Sequence, residues 1–275
     1  MTELDRNSIR FLLTEATPKV GRFDAMILLA FALGKPKEYL IAHDDELVDD
    51  MTKVTFDLYL SLRIEGMPIA YIIGRQEFFG RYFTVNQHVL IPRPDTEVLV
   101  EQAQIVSPAN PRILDLGTGS GCLAITLGAE IPHATILATD LSEEALQVAK
   151  ANAARLGVAI NFRQGSWWEP IADNETFDLI VSNPPYIEKD DEHLLNLKYE
   201  PRSALTDEAD GLTFIAEIVT KAKQHLTSGG WRLVEHGYDQ GPAVECLFRI
   251  AGLAAVRTVK DYGGNDRVTM GRNPD

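Results

Sequence analysis

From residue 112 onward, short apolar segments alternate with segments whose apolar residues have helical spacing. The predicted strands are 112–115, 134–140, 160–164, 177–181, 231–235, 255–259 and 267–270, and the predicted helices are 122–127, 142–157, 212–226 and 238–251. This alternation predicts βαβ units, and hence an α/β fold with a doubly wound, mostly parallel, seven-stranded sheet. The turn predicted at 262–265 joins the last two strands as a hairpin, which adds one antiparallel strand.

An unusual corner follows the predicted strand 177–181, where the sequence reads Asn183, Pro184, Pro185 and Tyr186. Two prolines end the strand and stiffen the backbone at the sheet edge where ligands bind in such folds. The Asn183 oxygen and the Pro184 carbonyl can accept both hydrogens of a planar NH2 group, and Tyr186 can pack against its plane. The alternative is a rigid loop that only terminates the strand.

A glycine-rich loop follows the first predicted strand of this region. It consists of Gly117, Thr118, Gly119, Ser120 and Gly121. Its Gly-x-Gly-x-Gly spacing differs from a dinucleotide cradle, and no Lys-Ser/Thr pair follows, so a P-loop is excluded. Asp115 lies two residues before the loop, where its negative charge would repel a pyrophosphate. It suits a cationic amino-acid group, such as that of S-adenosylmethionine.

Two further strands end in residues that suit a nucleoside. Asp140 lies about 20 residues beyond the glycine loop, where a carboxylate can hold two ribose hydroxyls. Its alternative role is a helix cap, although Ser142 is also placed to cap that helix. Trp167 and Trp168 follow the strand 160–164, so one of them can cover an adenine ring while the other packs in the core.

The region before residue 93 has a different pattern. Residues 1–75 have apolar residues at helical spacing in the segments 8–13, 23–33 and 52–64. We interpret them as a helical substrate-recognition domain, with bracing of the larger domain as the alternative. Residues 76–92 suggest a β-hairpin linker with its turn at 86–87, and 93–275 form the catalytic domain. In the stretch after the hairpin, Asp95 or Thr96 can cap the next helix, and Arg93 is either a ligand contact or a brace.

Composition narrows the function classes. The net charge of −14 and the lack of a Lys/Arg-rich run argue against a nucleic-acid substrate. The sequence contains no run of about 18 apolar residues, so no membrane span is expected. Residues 1–5 are acidic and lack the basic and apolar regions of a signal peptide. Cys122 and Cys246 are far apart, which favours free thiols in the cytoplasm and no metal site.

The combination of motifs resembles the protein-(glutamine-N5) methyltransferases that modify class-1 peptide chain release factors, the HemK/PrmC family. The resemblance covers nearly the whole chain and is carried by Gly74-Arg75, Glu77-Phe78, residues 91–97, residues 115–121, residues 183–187, Glu200-Pro201, Glu235-His236-Gly237 and Asp261-Tyr262-Gly263. It implies a class I S-adenosylmethionine-dependent methyltransferase fold. It also implies methylation of the glutamine in a Gly-Gly-Gln motif of a release factor by a monomer that binds neither nucleic acid nor membrane.

The resemblance also implies roles for individual residues. Residues 117–121 and Asp140 would bind S-adenosylmethionine, and residues 183–186 would hold the substrate glutamine, with Asn183 close to the methyl donor as well. The family commonly has Asp-Trp where this chain has Ser166-Trp167, so Trp167 matches the family tryptophan and Ser166 departs from the pattern.

Two rival functions stay open at this stage. Adenine-N6 methyltransferases of nucleic acid share the Asn-Pro-Pro-Tyr corner, although the negative net charge weighs against them. A non-catalytic S-adenosylmethionine-binding partner is the other rival, although both motifs are intact in this sequence.

Overall fold

The structure is a computed structural model that describes residues 7–274. The chain divides into two compact units, Met1–Arg75 and Gln76–Asp275. The expectation for residues 1–5, that they do not form a signal peptide, lies outside the described residues. No helix between residues 7 and 274 is long and apolar enough to cross a membrane.

The first unit is helical, as its apolar spacing predicts. Its helices are α1 (Ile9–Val20), α2 (Arg22–Leu33), α3 (Lys37–Ala42), α4 (Asp50–Ile64) and α5 (Ile69–Ile72). Ser8 and Asp49 cap α1 and α4 because each side chain accepts a hydrogen bond from the backbone N–H three residues later. Gly34 ends α2 with φ of 63°. The sequence-based prediction lacks α3 and α5, because six and four residues carry little periodicity.

One face of α4 packs inside the first unit, and another is exposed. Phe56 and Leu60 are buried. Met51, Val54 and Leu58 are 78%, 67% and 56% exposed, and they lie on one stripe because they are three and four residues apart. We call these three residues the α4 stripe. An exposed apolar stripe of this kind is typical of a surface that contacts a partner.

A β-hairpin opens the second unit, but the predicted turn at 86–87 is wrong. Strands β1 (Arg75–Phe78) and β2 (Arg81–Thr84) are joined by Phe79 and Gly80, whose φ values are 49° and 73°. Two successive positive φ values form the tight turn that matches strand twist. Thr84 ends β2 because Asn152 accepts from its N–H at 2.8 Å and donates to its carbonyl at 3.0 Å. Residues 85–91 therefore form no second strand.

The main sheet has seven strands, as predicted. They are β3 (Arg112–Leu116), β4 (Thr135–Asp140), β5 (Asn161–Gln164), β6 (Phe177–Ser182), β7 (Leu226–Glu235), β8 (Ala254–Lys260) and β9 (Asp266–Arg272). Their order is β5-β4-β3-β6-β7-β9-β8. Strand β9 pairs antiparallel with both β7 and β8, and the other neighbouring strands pair in parallel. The last strand of the chain is thus inserted between two earlier ones.

Helices cover both faces of this sheet. They are α6 (Glu97–Val106), α7 (Cys122–Glu130), α8 (Glu143–Leu156), α9 (Thr213–His225) and α10 (Gly241–Ile250). Successive residues of β3 point to opposite faces, so Ile113 joins the apolar cluster with α6 and α7, and Leu114 joins the cluster with α9 and α10. This two-sided burial explains why the inner strands are apolar throughout.

Candidate active site

A cleft of about 530 Å³ opens at the carboxyl ends of β3, β4 and β6. The chain runs from β3 outward to β4 and β5, then returns to β6 on the other side of β3, so this edge is the topological switch point of the sheet. Residues in the segment 201–208 also line the cleft, in the loop where the sequence lacks periodicity.

The predicted site residues divide into two groups. Gly117, Thr118, Gly119, Ser120, Asp140, Trp167, Asn183 and Pro185 line the cleft, whereas Asp115, Gly121, Pro184 and Tyr186 lie outside its lining. The first group comes from four separate loops. Their roles in binding stay predictions.

The glycine loop needs glycine at both of its ends. Gly117 has φ of +76°, and an added Cβ would lie 3.1 Å from the Trp167 ring. Gly121 has φ of +81°, and a Cβ there would lie 2.8 Å from Ile125. The loop can therefore turn tightly and bring the N-terminus of α7 next to the cleft, where free backbone N–H groups favour a polar ligand.

Asp115 is a buried carboxylate beneath this loop. Its Oδ2 accepts a hydrogen bond from the Thr118 hydroxyl at 2.6 Å, whereas Oδ1 has no hydrogen-bond partner among residues 7–274. Burial raises the pKa of Asp115 from 3.8 to about 7, because the charged form loses its water. The Thr118 hydroxyl and the positive charge of buried Arg232 both oppose this rise of the pKa.

The raised pKa of Asp115 predicts how the stability of the folded protein depends on pH. The folded-state pKa lies above the unfolded value of 3.8, so the folded protein binds this proton more tightly. The contribution of Asp115 to stability is therefore full below about pH 4 and falls as the pH rises towards 7. Asp115→Asn keeps an acceptor for Thr118 and removes the titration. Because the variant also loses the negative charge near buried Arg232 at every pH, we expect its melting temperature without cofactor to fall less than that of the parent between pH 4 and pH 8.

Thermal denaturation followed by circular dichroism at the two pH values tests this expectation. An Asp115→Asn variant whose melting temperature falls as much as that of the parent between pH 4 and pH 8 would contradict it. The matched control is Asp173→Asn, because Asp173 is exposed and its carboxylate keeps its water. This control should melt with the parent at both pH values.

Asp140 connects the end of β4 to the glycine loop. Its Oδ2 accepts from the Gly119 N–H at 2.8 Å and its Oδ1 from the Ser142 N–H at 2.9 Å. Burial raises the pKa of this carboxyl as well. The helix cap of α8 is Ser142, whose hydroxyl accepts from the Ala145 N–H at 3.1 Å. Asp140 therefore faces the cleft with lone pairs available for a diol.

The two tryptophans have different surroundings. Trp167, with φ of 40°, lines the cleft and packs on Phe214 at a ring distance of 5.3 Å. Trp168 is buried, stacks on His225 and donates from its indole N–H to the Glu217 carbonyl at 3.3 Å. The side chain available to cover a ring in the cleft is thus Trp167, and Ser166 lies beside it in the lining.

The Asn183 corner is held firmly at the end of β6. The Ser182 hydroxyl donates to the Leu116 carbonyl at 2.7 Å, which joins the ends of β6 and β3. Asn183 donates from Nδ2 to the Thr96 hydroxyl at 3.2 Å. Neither the Asn183 side-chain oxygen nor the Pro184 carbonyl accepts a hydrogen bond from the described part of the chain. Tyr186 donates to Glu235 Oε1 at 3.2 Å.

Residues 91–97, which we call the strap, lie beside this corner and contribute three residues to the lining of the cleft. Glu200, whose side chain is 1% exposed, accepts from the Ile91 N–H at 3.0 Å and from the Arg93 guanidinium at 2.5 Å. Asp95 forms an ion pair with Arg267 of β9 at 3.5 Å. Arg93 thus braces the strap and also lines the cleft.

Sequence reasoning missed the roles of three residues here. Thr96 was predicted as a possible cap for α6, but its side chain caps no backbone N–H and instead accepts from Asn183. Glu200 and Glu235 lie more than 100 residues from the strap in sequence. Both glutamates belong to the residues that carry the family resemblance, but periodicity and spacing do not predict such distant contacts.

Sheet order, glycine loop and corner together define a class I S-adenosylmethionine-dependent methyltransferase. The fold comparison agrees. A methyltransferase from Pyrococcus furiosus matches with a TM-score of 0.56 at 18% identity, over 72% of this chain and 91% of its own. A Thermus thermophilus 16S rRNA N2 G1207 methyltransferase in complex with AdoMet and guanosine matches with a TM-score of 0.53 at 18% identity, over 72% of this chain and 49% of its own.

Sequence comparison identifies the family. The Methyltransferase small domain model matches residues 94–198, and the PrmC N-terminal domain model matches residues 6–74. The release factor glutamine methyltransferase of Bordetella pertussis is 43% identical over 93% of this chain and 96% of its own. The release factor glutamine methyltransferase of Vibrio cholerae is 45% identical over 90% of this chain and 88% of its own. The chain belongs to the release factor glutamine methyltransferase family.

The cleft has the groups that S-adenosylmethionine requires. Asp140 lines the cleft and suits the ribose hydroxyls, and Thr118 of the glycine loop, which buried Asp115 holds by a hydrogen bond, lines it as well. Trp167 offers a ring face for adenine. A Cβ added at Gly119 would meet no atom of the described chain within 4 Å, so the glycine leaves open space where a ligand can approach the backbone.

Proposed function

We propose that this protein transfers a methyl group from S-adenosylmethionine to the side-chain amide nitrogen, N5, of a glutamine in class-1 peptide chain release factors, at their Gly-Gly-Gln motif. The observation that carries the proposal is the Asn183 corner. Within residues 7–274, neither the side-chain oxygen of Asn183, which lines the cleft, nor the carbonyl oxygen of the adjoining Pro184 accepts a hydrogen bond. The similarity to release factor glutamine methyltransferases supports the choice of acceptor.

The reaction mainly requires that the glutamine nitrogen and the methyl group are aligned. An amide nitrogen is a poor nucleophile, because its lone pair is delocalised. When bound, S-adenosylmethionine supplies a strongly electrophilic methyl group on a sulfonium. Asn183 and Pro184 would accept the two N–H groups of the glutamine amide and fix the direction of its nitrogen. The same two oxygens would stabilise the positive charge that develops on nitrogen, and the proton can then leave to water.

The first unit supports a whole protein as the substrate. The α4 stripe of the first unit is exposed and apolar, and the cofactor cleft is lined by residues of the second unit alone. A glutamine within a folded partner needs such an additional contact surface. We expect a monomer that acts in the cytoplasm, where release factors work in translation termination, and no direct contact with nucleic acid.

The direct test incubates the protein with labelled S-adenosylmethionine and a purified class-1 release factor. We expect one methyl group per factor, recovered after hydrolysis as N5-methylglutamine, and no label in the Gly-Gly-Gln→Gly-Gly-Ala factor. Methyl transfer to DNA or RNA in place of the factor would favour an adenine-N6 methyltransferase. Cofactor binding without transfer to any of these would favour a non-catalytic partner protein.

A further inference from the structure

Backbone N–H groups can hold the Asn183 corner only at its ends, because its two middle residues are prolines. Pro184 and Pro185 have no N–H, and the proposed reaction needs the Pro184 carbonyl for the substrate. At the first end, the Ser182 hydroxyl donates to the Leu116 carbonyl at 2.7 Å. The hydrogen bonds at the second end therefore decide how firmly the corner keeps its direction.

The second end of the corner is held by Gln240, in the turn between β7 and α10. Its Nε2 donates to the Tyr186 carbonyl at 3.0 Å and to the Gly211 carbonyl at 3.3 Å. Its Oε1 accepts from the Gly237 N–H at 2.8 Å. The orientation of this amide is fixed by its partners, since carbonyl oxygens only accept and a backbone N–H only donates. One side chain therefore joins three separate segments of the second unit.

One of these segments forms a side of the cleft. We call residues 201–211 the wall, because most of them belong to the lining of the cleft. The Ile187 N–H donates to the Leu205 carbonyl at 2.9 Å, and the Lys189 N–H donates to the Ala209 carbonyl at 3.0 Å. The wall thus runs alongside the chain that leaves the corner, and wall and corner form adjoining parts of the cleft lining.

The wall ends in close contact with the corner. Gly211 has φ of +75°, and an added Cβ would lie 2.3 Å from the Tyr186 carbonyl oxygen and 2.8 Å from Gln240 Nε2. Asp207 fixes this end of the wall, since its Oδ1 accepts from the N–H groups of Ala209 and Gly211 at 2.9 and 3.0 Å. The carbonyls of Tyr186 and Gly211 converge on the Gln240 NH2 group, and without a donor both would be left unpaired.

We propose that Gln240 is a positioning residue that holds the second end of the corner against the wall, and so fixes the direction in which the Asn183 and Pro184 oxygens face the substrate amide. The inference rests on the proposed function and deepens it, since it concerns alignment of the same amide group. Gln240 lies outside the lining of the cleft, so it is assigned no contact with substrate or cofactor. A misplacement of about 1 Å can cost about 100-fold in rate, so this support matters for the chemical step.

Gln240→Glu replaces the NH2 donor with an oxygen and leaves the shape of the side chain almost unchanged. At pH 8 the carboxylate can still accept from Gly237, but its second oxygen faces the carbonyls of Tyr186 and Gly211 and repels both. We expect kcat at saturating release factor to fall about 10–100-fold, while the dissociation constant of S-adenosylmethionine changes by less than about threefold. Initial rates and calorimetry measure the two quantities separately.

Lowering the pH should rescue this variant, which a general loss of stability would not produce. A protonated carboxyl regains one donor, so it can bond to one of the two carbonyls while its other oxygen accepts from Gly237. Gln240 is half-buried, and loss of water together with two converging carbonyls raises the pKa of a carboxyl placed there. The ratio of kcat in Gln240→Glu to kcat in the parent is expected to rise about threefold or more from pH 8 to pH 6.

The charges around Gln240 favour the same rise of the pKa. Ionisable groups on the segments that meet there are Tyr186, Glu188 and Lys189 after the corner, Asp207 and Asp210 at the end of the wall, Glu235, His236 and Asp239 before α10, and Asp266 and Arg267 of β9. Acids outnumber cations among them, and the arginine already pairs with Asp261 at 3.1 Å. Burial lowers the pKa of the histidine and keeps it neutral. A carboxyl introduced at position 240 therefore has mostly like charges as neighbours.

Two further variants complete the test. Gln240→Met removes the donor without adding a charge, so its kcat should fall about 10-fold or more, by a factor that does not change with pH. Gln224→Glu is the matched control, since Gln224 is exposed on α9 and outside the lining of the cleft. The control makes the same change of charge and should keep the parental kcat at each pH.

The outcomes separate this inference from the proposed function. If the parent protein does not methylate the release factor, the proposed function fails and the inference fails with it. If the parent methylates the factor and a folded Gln240→Glu protein keeps parental kcat at pH 8, only the positioning role is overturned. A reduced kcat that does not recover at pH 6 overturns it as well. Melting temperatures are measured for every variant, and Gln240→Met decides by its kcat at pH 8 if Gln240→Glu does not fold.

Discussion

Replacing Asn183 with alanine is expected to lower kcat for methylation of the release factor by about 10²–10³-fold, the usual effect of removing one preorganised group that stabilises transition-state charge. The carboxamide of Asn183 would supply one of two acceptors for the glutamine NH2. Without it, the nitrogen can rotate away from the methyl group, and its developing charge meets one oxygen instead of two. Single-turnover rates with saturating factor measure the chemical step directly.

The structure predicts that this variant stays folded. Among residues 7–274, the side chain of Asn183 forms one hydrogen bond, to Thr96, and the corner is kept in place by the two prolines and by the Ser182 hydroxyl. The cofactor dissociation constant should change by less than about 10-fold. The matched control is Asn174→Ala, in an exposed loop before β6, which should keep parental kcat. Near-normal turnover by a folded Asn183→Ala protein would remove the basis of the proposed role.

Deleting residues 1–75 is expected to give a protein that binds S-adenosylmethionine but has lost at least about 100-fold in kcat/KM for the intact release factor. The cofactor cleft and both apolar clusters of the sheet are formed by residues of the second unit alone. Recognition of the folded factor would be lost with the α4 stripe, because a few anchor residues carry most of the energy of an interface. Calorimetry and initial rates measure the two properties separately.

A triple variant of the α4 stripe tests recognition of the release factor without deleting residues. Met51→Ser, Val54→Ser and Leu58→Ser together remove the apolar character of the α4 stripe, and all three side chains are exposed, so the helix should stay folded. We expect KM for the factor to rise about 10-fold or more with kcat nearly unchanged. Ile250→Ser is the control, since Ile250 is 78% exposed on α10. Unchanged KM in the triple variant would place recognition elsewhere.

Local patterns predict the sheet and the residues at its edge well. An apolar strand followed by glycines, an acid or a Pro-Pro pair has few possible conformations, so the positions of Asp140 and Asn183 follow from the sequence. The hairpin turn is misplaced because Asn86-Gln87 resembles a turn, whereas Phe79-Gly80 adopts the two positive φ values. Only packing reveals that the turn is there, because nothing in the sequence marks Phe79 for a left-handed conformation.

Contacts between distant segments are the part that sequence patterns do not predict. Thr96 is near the start of a helix and looks like a cap, yet its hydroxyl serves a residue 87 positions away. Glu235 looks like the polar end of a strand, and nothing local shows that it is buried. Such roles depend on which strand ends meet at one edge, and that is a property of the sheet order.

The order of the strands also has a consequence for the time at which the sheet can be completed. Strand β9 is translated last of the seven but occupies an interior position between β7 and β8, and its Arg267 pairs with Asp95 of the strap. A nascent polypeptide that has not yet emerged to residue 272 lacks both the insertion and this ion pair. Completion of the sheet is therefore deferred until residues 266–272 have left the exit tunnel of the ribosome.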